Sequence, residues 1–257
     1  MAFAIALTDE QWELVADLFD PPGRRGAPAI IPRRQMVEAM LFIARTGCQW
    51  RYLPERYGEW SAVWAQWRRW RANGVWERAM TRLAAVVRVL HEREPLPSMV
   101  MIDAQTVKGA RYGPTFHQAG GRGGRTIGTK RSLLVEILGL PVAAHAGSAR
   151  PHDVSAAREL LGQRLPQLPR LRAIVGDRAY RGLATLAARK RVRLDVKAPP
   201  AGRSGFTPIA PLYKIEHTFA QLGRWRRLSR CYEGSQASAR AWLEVASVGY
   251  LAWRAVA

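Results

Sequence analysis

The sequence predicts an α/β protein in two parts. Residues 1–95 form an all-α region of helix-turn-helix type, and residues 96–257 form a mixed-sheet α/β domain. Three observations predict this. Apolar residues recur at helical spacing through the first third. After the polar linker Glu92-Arg93-Glu94-Pro95-Leu96-Pro97 they give way to short apolar runs alternating with helical stretches. Hydrophobic residues make up 48% of the 257, which supplies a core and excludes a disordered chain.

Each element has a local reason. Thr8 is placed to cap a helix over 9–19, with Trp12, Val15, Leu18 and Phe19 at helical spacing and Pro21-Pro22-Gly23 as its stop. A second helix over 32–45 buries Met36, Val37, Met40, Leu41 and Ala44 and ends at Gly47. Leu53-Pro54 and Gly58 break the chain before a third helix, with Ser61 as its N-cap; Asn73-Gly74 separates that helix from a fourth over 75–91. Beyond the linker, 99–103 reads as a buried strand ending in an acid, and 131–138 and 140–146 read as two strands turning at Gly139. Asp153 is expected to cap a helix to 161. A strand over 171–177 again ends in an acid, followed by a helix over 182–191 and a strand over 193–197. A Pro/Gly-rich loop over 199–211 leads to helices over 213–222 and 238–253, completing one mixed α/β layer.

Charge narrows the function. Lys plus Arg number 40 against 20 Asp plus Glu, a formal charge of +20, the footprint of a polyanion binder. The excess is uneven: residues 1–95 carry a net +3 and residues 96–257 a net +17. Only nine acids follow residue 95, namely Asp103, Glu136, Asp153, Glu159, Asp177, Asp195, Glu216, Glu233 and Glu244. In so basic a field an acid either neutralises a cation or holds a metal. No apolar run approaches the roughly 18 residues of a membrane span. The first residues lack a signal-peptide pattern, and Cys48 and Cys231 are too few for a disulfide framework, so a cytoplasmic location is expected.

Asp103 and Asp177 each close an apolar strand, and ligand sites in α/β sheets lie beyond the carboxyl ends of strands. Two carboxylates brought together repel unless a divalent cation stands between them, and Mg²⁺ suits such sparse oxygen sites. Glu216, on the helix over 213–222, is the candidate third acid; if that helix ran on, Arg227 would return to the same face, with Arg224, Arg226 and Arg230 completing a phosphate track. The segment from Gly120 to Lys130 is Gly-rich and basic but no P-loop, since Thr129 stands where Lys is required; its Arg122, Arg125 and Lys130 suit phosphate contact. The five His show no zinc spacing. In the first third, Trp60, Trp64 and Trp67 form a helical stripe beside Arg68, Arg69 and Arg71. Such a helix either enters a DNA groove or serves a packing or dimerisation domain.

Several segments carry a resemblance: Leu7-Thr8-Asp9-Glu10-Gln11-Trp12, Phe42-Ile43-Ala44-Arg45-Thr46-Gly47-Cys48-Gln49-Trp50-Arg51, Ile102-Asp103-Ala104-Gln105-Thr106-Val107-Lys108, Gly176-Asp177-Arg178-Ala179-Tyr180-Arg181-Gly182 and Ile215-Glu216-His217-Thr218-Phe219. In these the chain resembles the DDE transposases of bacterial insertion sequences, in the insertion-sequence-five group. The resemblance implies a helical DNA-binding region before a ribonuclease-H-like catalytic domain. It implies Asp103, Asp177 and Glu216 as a triad for Mg²⁺, with Mn²⁺ able to substitute, and Lys108 and Arg178 as basic residues flanking the aspartates. It also implies double-stranded DNA as partner, both the element's terminal inverted repeats and target DNA. A homodimer or larger assembly, no membrane and a nucleoid-associated place in a bacterial cytoplasm follow from it. Relatives place Tyr and Arg at Y-x₂-R-x₃-E spacing before the glutamate. Here those positions hold Ile209 and Leu212, which leaves Glu233 and Glu244 as alternative third acids. A DNA-binding repressor without catalysis and a nuclease without strand transfer are the competing functions.

Overall fold

The computed structural model describes residues 5–23, 29–109, 117–119, 126–198 and 209–256. The chain starts with a capping box: the Thr8 hydroxyl accepts from the Gln11 N–H, and the Gln11 side chain accepts from the Thr8 N–H. This opens α1 (Asp9–Glu13), but the helix expected to reach Phe19 breaks at Val15, where φ is −134°. It resumes as α2 (Ala16–Phe19), with Val15 and Phe19 both buried. The next helix, α3 (Arg33–Thr46), starts after Pro32 and stops at Gly47. There a φ of 73° needs glycine, and its N–H bonds the Ile43 carbonyl at 2.9 Å. Glu59, rather than Ser61, caps α4 (Trp60–Ala72), its carboxylate accepting from the Ser61 N–H where the helix dipole favours an anion. The last helix of this region, α5 (Val75–Leu90), follows the Asn73-Gly74 break.

The second part contains β1 (Met99–Lys108), β2 (His117–Ala119), β3 (Thr126–Glu136), β4 (Pro141–Ser148), α6 (Asp153–Arg164), β5 (Ala173–Gly176), α7 (Ala184–Arg189), β6 (Arg193–Val196), α8 (Tyr213–Gly223) and α9 (Gln236–Arg254). Several differ from expectation. β1 is twice the expected length, and β2 lies unforeseen beside the basic loop. Asp153 is the first residue of α6 rather than its cap, because its carboxylate is taken by Lys130 Nζ at 2.7 Å. The segment after β5 winds as a 3₁₀ turn, Arg178–Leu183, before α7 begins.

The sheet runs β4, β3, β1, β5, β6. β3 is antiparallel to β1 and β4, while β5 and β6 are parallel to β1; β2 pairs the far end of β3. An antiparallel meander continued by two parallel strands beside the first is the ribonuclease-H-like order.

Residues from both sides of the linker enter a single apolar cluster running from Leu7 to Ala255. Its centre is α9, buried nearly throughout, which packs on α3, α5 and β4. Trp67 stacks on Trp242 with ring centroids 5.3 Å apart, and Trp50 leans on both; Phe19 sits edge-on to Trp70 and Trp76. Arg88 of α5 donates to the buried carboxylate of Glu136 at the end of β3. Among the described residues no helix is long and apolar enough to cross a membrane.

Candidate active site

β1 is parallel to β5 only as far as Met101, whose partner is Val175. The same register carried two residues on sets Asp103 beside Asp177. Asp103 does not end its strand, as the sequence suggested: β3 continues to pair β1 from Leu133 opposite Asp103 to Gly128 opposite Lys108. What ends at Met101 is the parallel pairing, so Asp103, two residues on, stands where that flank of β1 has lost its strand partner. β5 is buried along its length, and the chain turns away at Asp177, whose Oδ1 accepts from the Ala179 N–H at 2.8 Å and so opens the 3₁₀ turn.

Glu216 arrives from α8. Ile215, Thr218, Phe219 and Leu222 bury one face of that helix, which leaves Glu216 exposed on the other. The Thr218 hydroxyl bonds the Gly139 carbonyl at 2.9 Å, which anchors α8 to the β3–β4 turn. Asp103, Asp177 and Glu216 then line one cavity of about 250 Å³, together with Arg178, Lys197 and the apolar Ile209 and Leu212.

Ion pairing separates these acids from the others. Of the nine acids after residue 95, five pair with Lys or Arg, and a sixth, the exposed Glu159, faces the His145 ring, whose pKa burial lowers. Glu136 has Arg88, Asp153 has Lys130, Asp195 has Lys197, Glu233 has Arg227 and Glu244 has Arg240. The three with no basic side chain within ion-pair distance among the described residues are Asp103, Asp177 and Glu216. Burial pushes the Asp103 carboxyl up to about 6; the Ala104 N–H opposes this, and the charges of Asp177, Asp153 and Glu216 add to it. Below them the Tyr180 hydroxyl is buried without a hydrogen-bond partner, and burial with the charges of Asp103, Asp153 and Asp177 raises its pKa. No three His, Cys, Asp or Glu side chains among the described residues stand close enough to hold a single ion together.

The basic candidates divide. Arg178 lines the cavity; Lys108, Arg224, Arg68 and Arg69 are exposed. Arg68 lies over the Trp64 ring at 4.8 Å, and Trp64 is the exposed member of a stripe whose Trp67 is core. Lys130 is buried and committed to Asp153 and the Pro151 carbonyl. Arg227 is not on the Glu216 face, because α8 stops at Gly223. It pairs with Glu233 at 2.6 Å and lies 5.2 Å from the Trp242 ring. Arg122 and Arg125 lie outside the described residues. Lys197 is the functional candidate that sequence reasoning passed over; its signal was a place directly after β6, at the edge that carries Asp177. Of the alternative third acids, Glu233 is held by Arg227, and Glu244 is buried inside α9.

A ribonuclease-H-like sheet presenting unpaired acids at one edge is the arrangement of a DDE transposase domain, and residues 94–205 match the family model described as the transposase DDE domain. Residues 7–80 match the model of a transposase of the IS4/5 family. The chain belongs to the insertion-sequence DDE transposases of the IS4/5 family. Asp103 and Asp177 fall within the matched span, and Glu216 lies beyond it. The chain is 36% identical over 122 residues to the uncharacterized protein y4sN of Sinorhizobium fredii, covering 46% of this chain and 87% of that one. It is 31% identical over 118 residues to the insertion element IS402 uncharacterized 16.2 kDa protein of Burkholderia cepacia, covering 44% and 79% respectively. Among solved structures, a pre-cleavage Mos1 transpososome aligns at 13% identity with a TM-score of 0.26, over 91% of this chain and 79% of that one.

Proposed function

We propose that this transposase cuts and joins DNA in the Asp103–Asp177–Glu216 cavity, acting on the terminal inverted repeats of its element and then on target DNA. The observation that carries the reading is the pairing pattern. Among the described residues, the three acids after residue 95 that have no basic side chain within ion-pair distance come from three separate segments and line one cavity. That donor set, all hard carboxylate oxygens, with Asp103 raised first by burial and further by its neighbours' charge, fits a divalent cation such as Mg²⁺ or Mn²⁺. Asp103 and Asp177 would hold one ion and Glu216 a second. Such ions supply positive charge to the attacking and leaving oxygens of a phosphodiester.

The chain's own residues do the rest. Arg178 and Lys197 offset the phosphate charge at the cavity, and the apolar wall of Ile209 and Leu212 excludes water from one side. Lys108 and Arg224 extend the basic surface, while Arg68, Arg69 and Trp64 on α4 offer a separate DNA-facing surface. Holding two element ends at once calls for a dimer or larger assembly. The test compares wild-type protein with Asp103→Asn, Asp177→Asn and Glu216→Gln on DNA carrying the element's ends. Each variant should retain end binding and lose divalent-dependent cleavage, and strand-transfer products on a supercoiled target should require all three acids. Cleavage that survives any one substitution removes that residue from the site.

One observation favours a second reading. Ile209 and Leu212, where relatives have Tyr and Arg, put apolar surface against the acids. A protein that binds the ends without cutting them, as a repressor does, would tolerate that exchange. Wild-type protein that binds ends but cleaves with neither Mg²⁺ nor Mn²⁺ would establish it.

A further inference from the structure

A second cavity, of about 120 Å³, is lined by residues further along the same two elements, β1 and α8. Gln105 and Val107 of β1, Arg131 of β3, Gly223 at the end of α8 and Ser229 contribute to its walls. Alternate side chains share a face of a strand, so Asp103, Gln105 and Val107 point the same way, and Arg131 is the cross-strand partner of Gln105. At the rise of a strand, this cavity follows the acid cavity by about 7–13 Å along β1. That is about two to four base steps of one DNA strand.

Arg131 is 4% exposed. Its Nη1 donates to the Leu228 carbonyl at 2.5 Å, and its Nε–H has no acceptor. The other buried Lys and Arg among the described residues each have a carboxylate: Arg88 has Glu136, Lys130 has Asp153 and Arg164 has Glu77. Arg131 has none in ion-pair reach among the described residues. Beyond that reach, the Cys231 thiol and Glu233 are the groups that act on it, and Glu233 is itself committed to Arg227. A guanidinium keeps its proton at neutral pH, so burial without a counter-ion is a standing cost that a fold retains where an anion relieves it.

We propose that this cavity is an anion subsite in which Arg131, with Gln105 and Ser229 at its walls, receives one phosphate group. A guanidinium edge matches two phosphate oxygens, and the cavity has room for the group. The phosphate belongs either to a DNA strand continuing from the acid cavity, which rests on the proposed DNA-cutting function, or to free inorganic phosphate.

The experiment uses the full chain as wild type, Arg131→Gln, Arg131→Lys and Ser229→Asp. The last substitutes an exposed residue, so the fold is not at risk, and it sets a fixed anion at the cavity wall. In the first arm, inorganic phosphate replaces chloride at equal ionic strength in thermal melts. The wild type gains stability, Arg131→Lys keeps part of the gain, and Arg131→Gln and Ser229→Asp lose it. In the second arm, duplex DNA affinity is measured against salt. If the ligand is a DNA phosphate, Arg131→Gln weakens binding about tenfold and lowers the salt slope by about 0.9, while Arg131→Lys retains the slope. A phosphate response that depends on Arg131, with an unchanged slope, assigns the subsite to free phosphate. Variants that melt like wild type and keep both the phosphate response and the full slope overturn the subsite. Wild-type protein that binds no DNA, yet shows the Arg131-dependent phosphate response, overturns the DNA-cutting function and leaves the subsite standing.

Discussion

Asp103 and Asp177 flank the end of one pairing: Met101 of β1 partners Val175 of β5, and each aspartate stands two residues further along the chain. Side-by-side carboxylates at a half-open edge repel, and Asp103 carries the burial as well. Removing its charge should therefore relieve the apo protein. Asp103→Asn is expected to be about 1–3 kcal/mol more stable than wild type without divalent ions. Mg²⁺ should raise the wild-type Tm and leave the variant unmoved, while the variant's cleavage falls at least about a hundredfold. Calorimetric melts with and without Mg²⁺ check the first two expectations; an Asp103→Asn protein stabilised by Mg²⁺ as much as wild type would count against the site.

Arg88 and Glu136 join the helical region to the sheet. Glu136 is fully buried and accepts from the Arg88 guanidinium and from the Leu138 and Leu140 N–H groups at 2.6 and 3.2 Å. Glu136→Ala leaves the buried Arg88 without its counter-ion, although its Nε keeps the Glu94 carbonyl, and takes the acceptor from the Leu138 and Leu140 N–H groups, so it should cost about 3–5 kcal/mol in urea denaturation. A loss below about 1 kcal/mol would mean that water replaces the carboxylate.

Glu244 makes stability pH-dependent. Burial pushes its carboxyl up to about 7 from 4.5, against the opposing charges of Arg240 and Arg164. The folded state therefore holds this proton more tightly than the unfolded state does. The stabilisation is complete below about pH 4.5 and is lost as pH rises to about 7, a span of about 3 kcal/mol. Glu244→Gln keeps the shape and cannot ionise, so its stability should fall less than wild type's between those pH values. Parallel denaturation curves across that range test it; identical pH dependence in both proteins would contradict the assignment.

Arg224 and Arg227 should separate binding from folding. Arg224 is exposed at the end of α8, whereas Arg227 is held by Glu233 and the Trp242 ring. Arg224→Ala is expected to weaken DNA binding and reduce its salt slope by about 0.9 with little change in Tm. Arg227→Ala should lower Tm and leave the slope nearly intact. Salt titrations of both variants decide it, and a reduced slope in Arg227→Ala would show that its ion pair opens for DNA.

Gly249 of α9 is a packing requirement. A Cβ there would lie 2.2 Å from the Trp225 ring and 3.0 Å from Leu41. Both neighbours are buried, so neither has free space to move into. Although alanine is the better helix former, Gly249→Ala should cost about 1–3 kcal/mol, measured by thermal denaturation. A neutral or stabilising result would mean that Trp225 repacks.

The positions read correctly from sequence share a short range. The Thr8 cap, the Gly47 stop, the Asn73-Gly74 break and the Gly139 turn each depend on bonds to residues within about four positions. The misread ones depend on distant partners. β1 runs to Lys108 because β3, about twenty or more residues later, continues to pair it. Asp153 leaves its capping role for Lys130. The break at Val15 has no signal in the local pattern that sequence reasoning could use.

By itself the sequence determined most of the element types, the succession of strands and helices along the chain, the excess of Arg and the scarcity of acids, because propensity, periodicity and charge are properties of short segments and of sums. Only the tertiary structure decided which charges remain available. Pairing with Lys or Arg consumes five of the nine late acids and withdraws Lys130 and Arg227 from the surface. It leaves Asp103, Asp177 and Glu216 without ion pairs in one cavity and Arg131 buried without an acid beside another. The physical reason is that a charge's role depends on what stands within a few ångströms of it, and the fold brings those neighbours from anywhere in the chain.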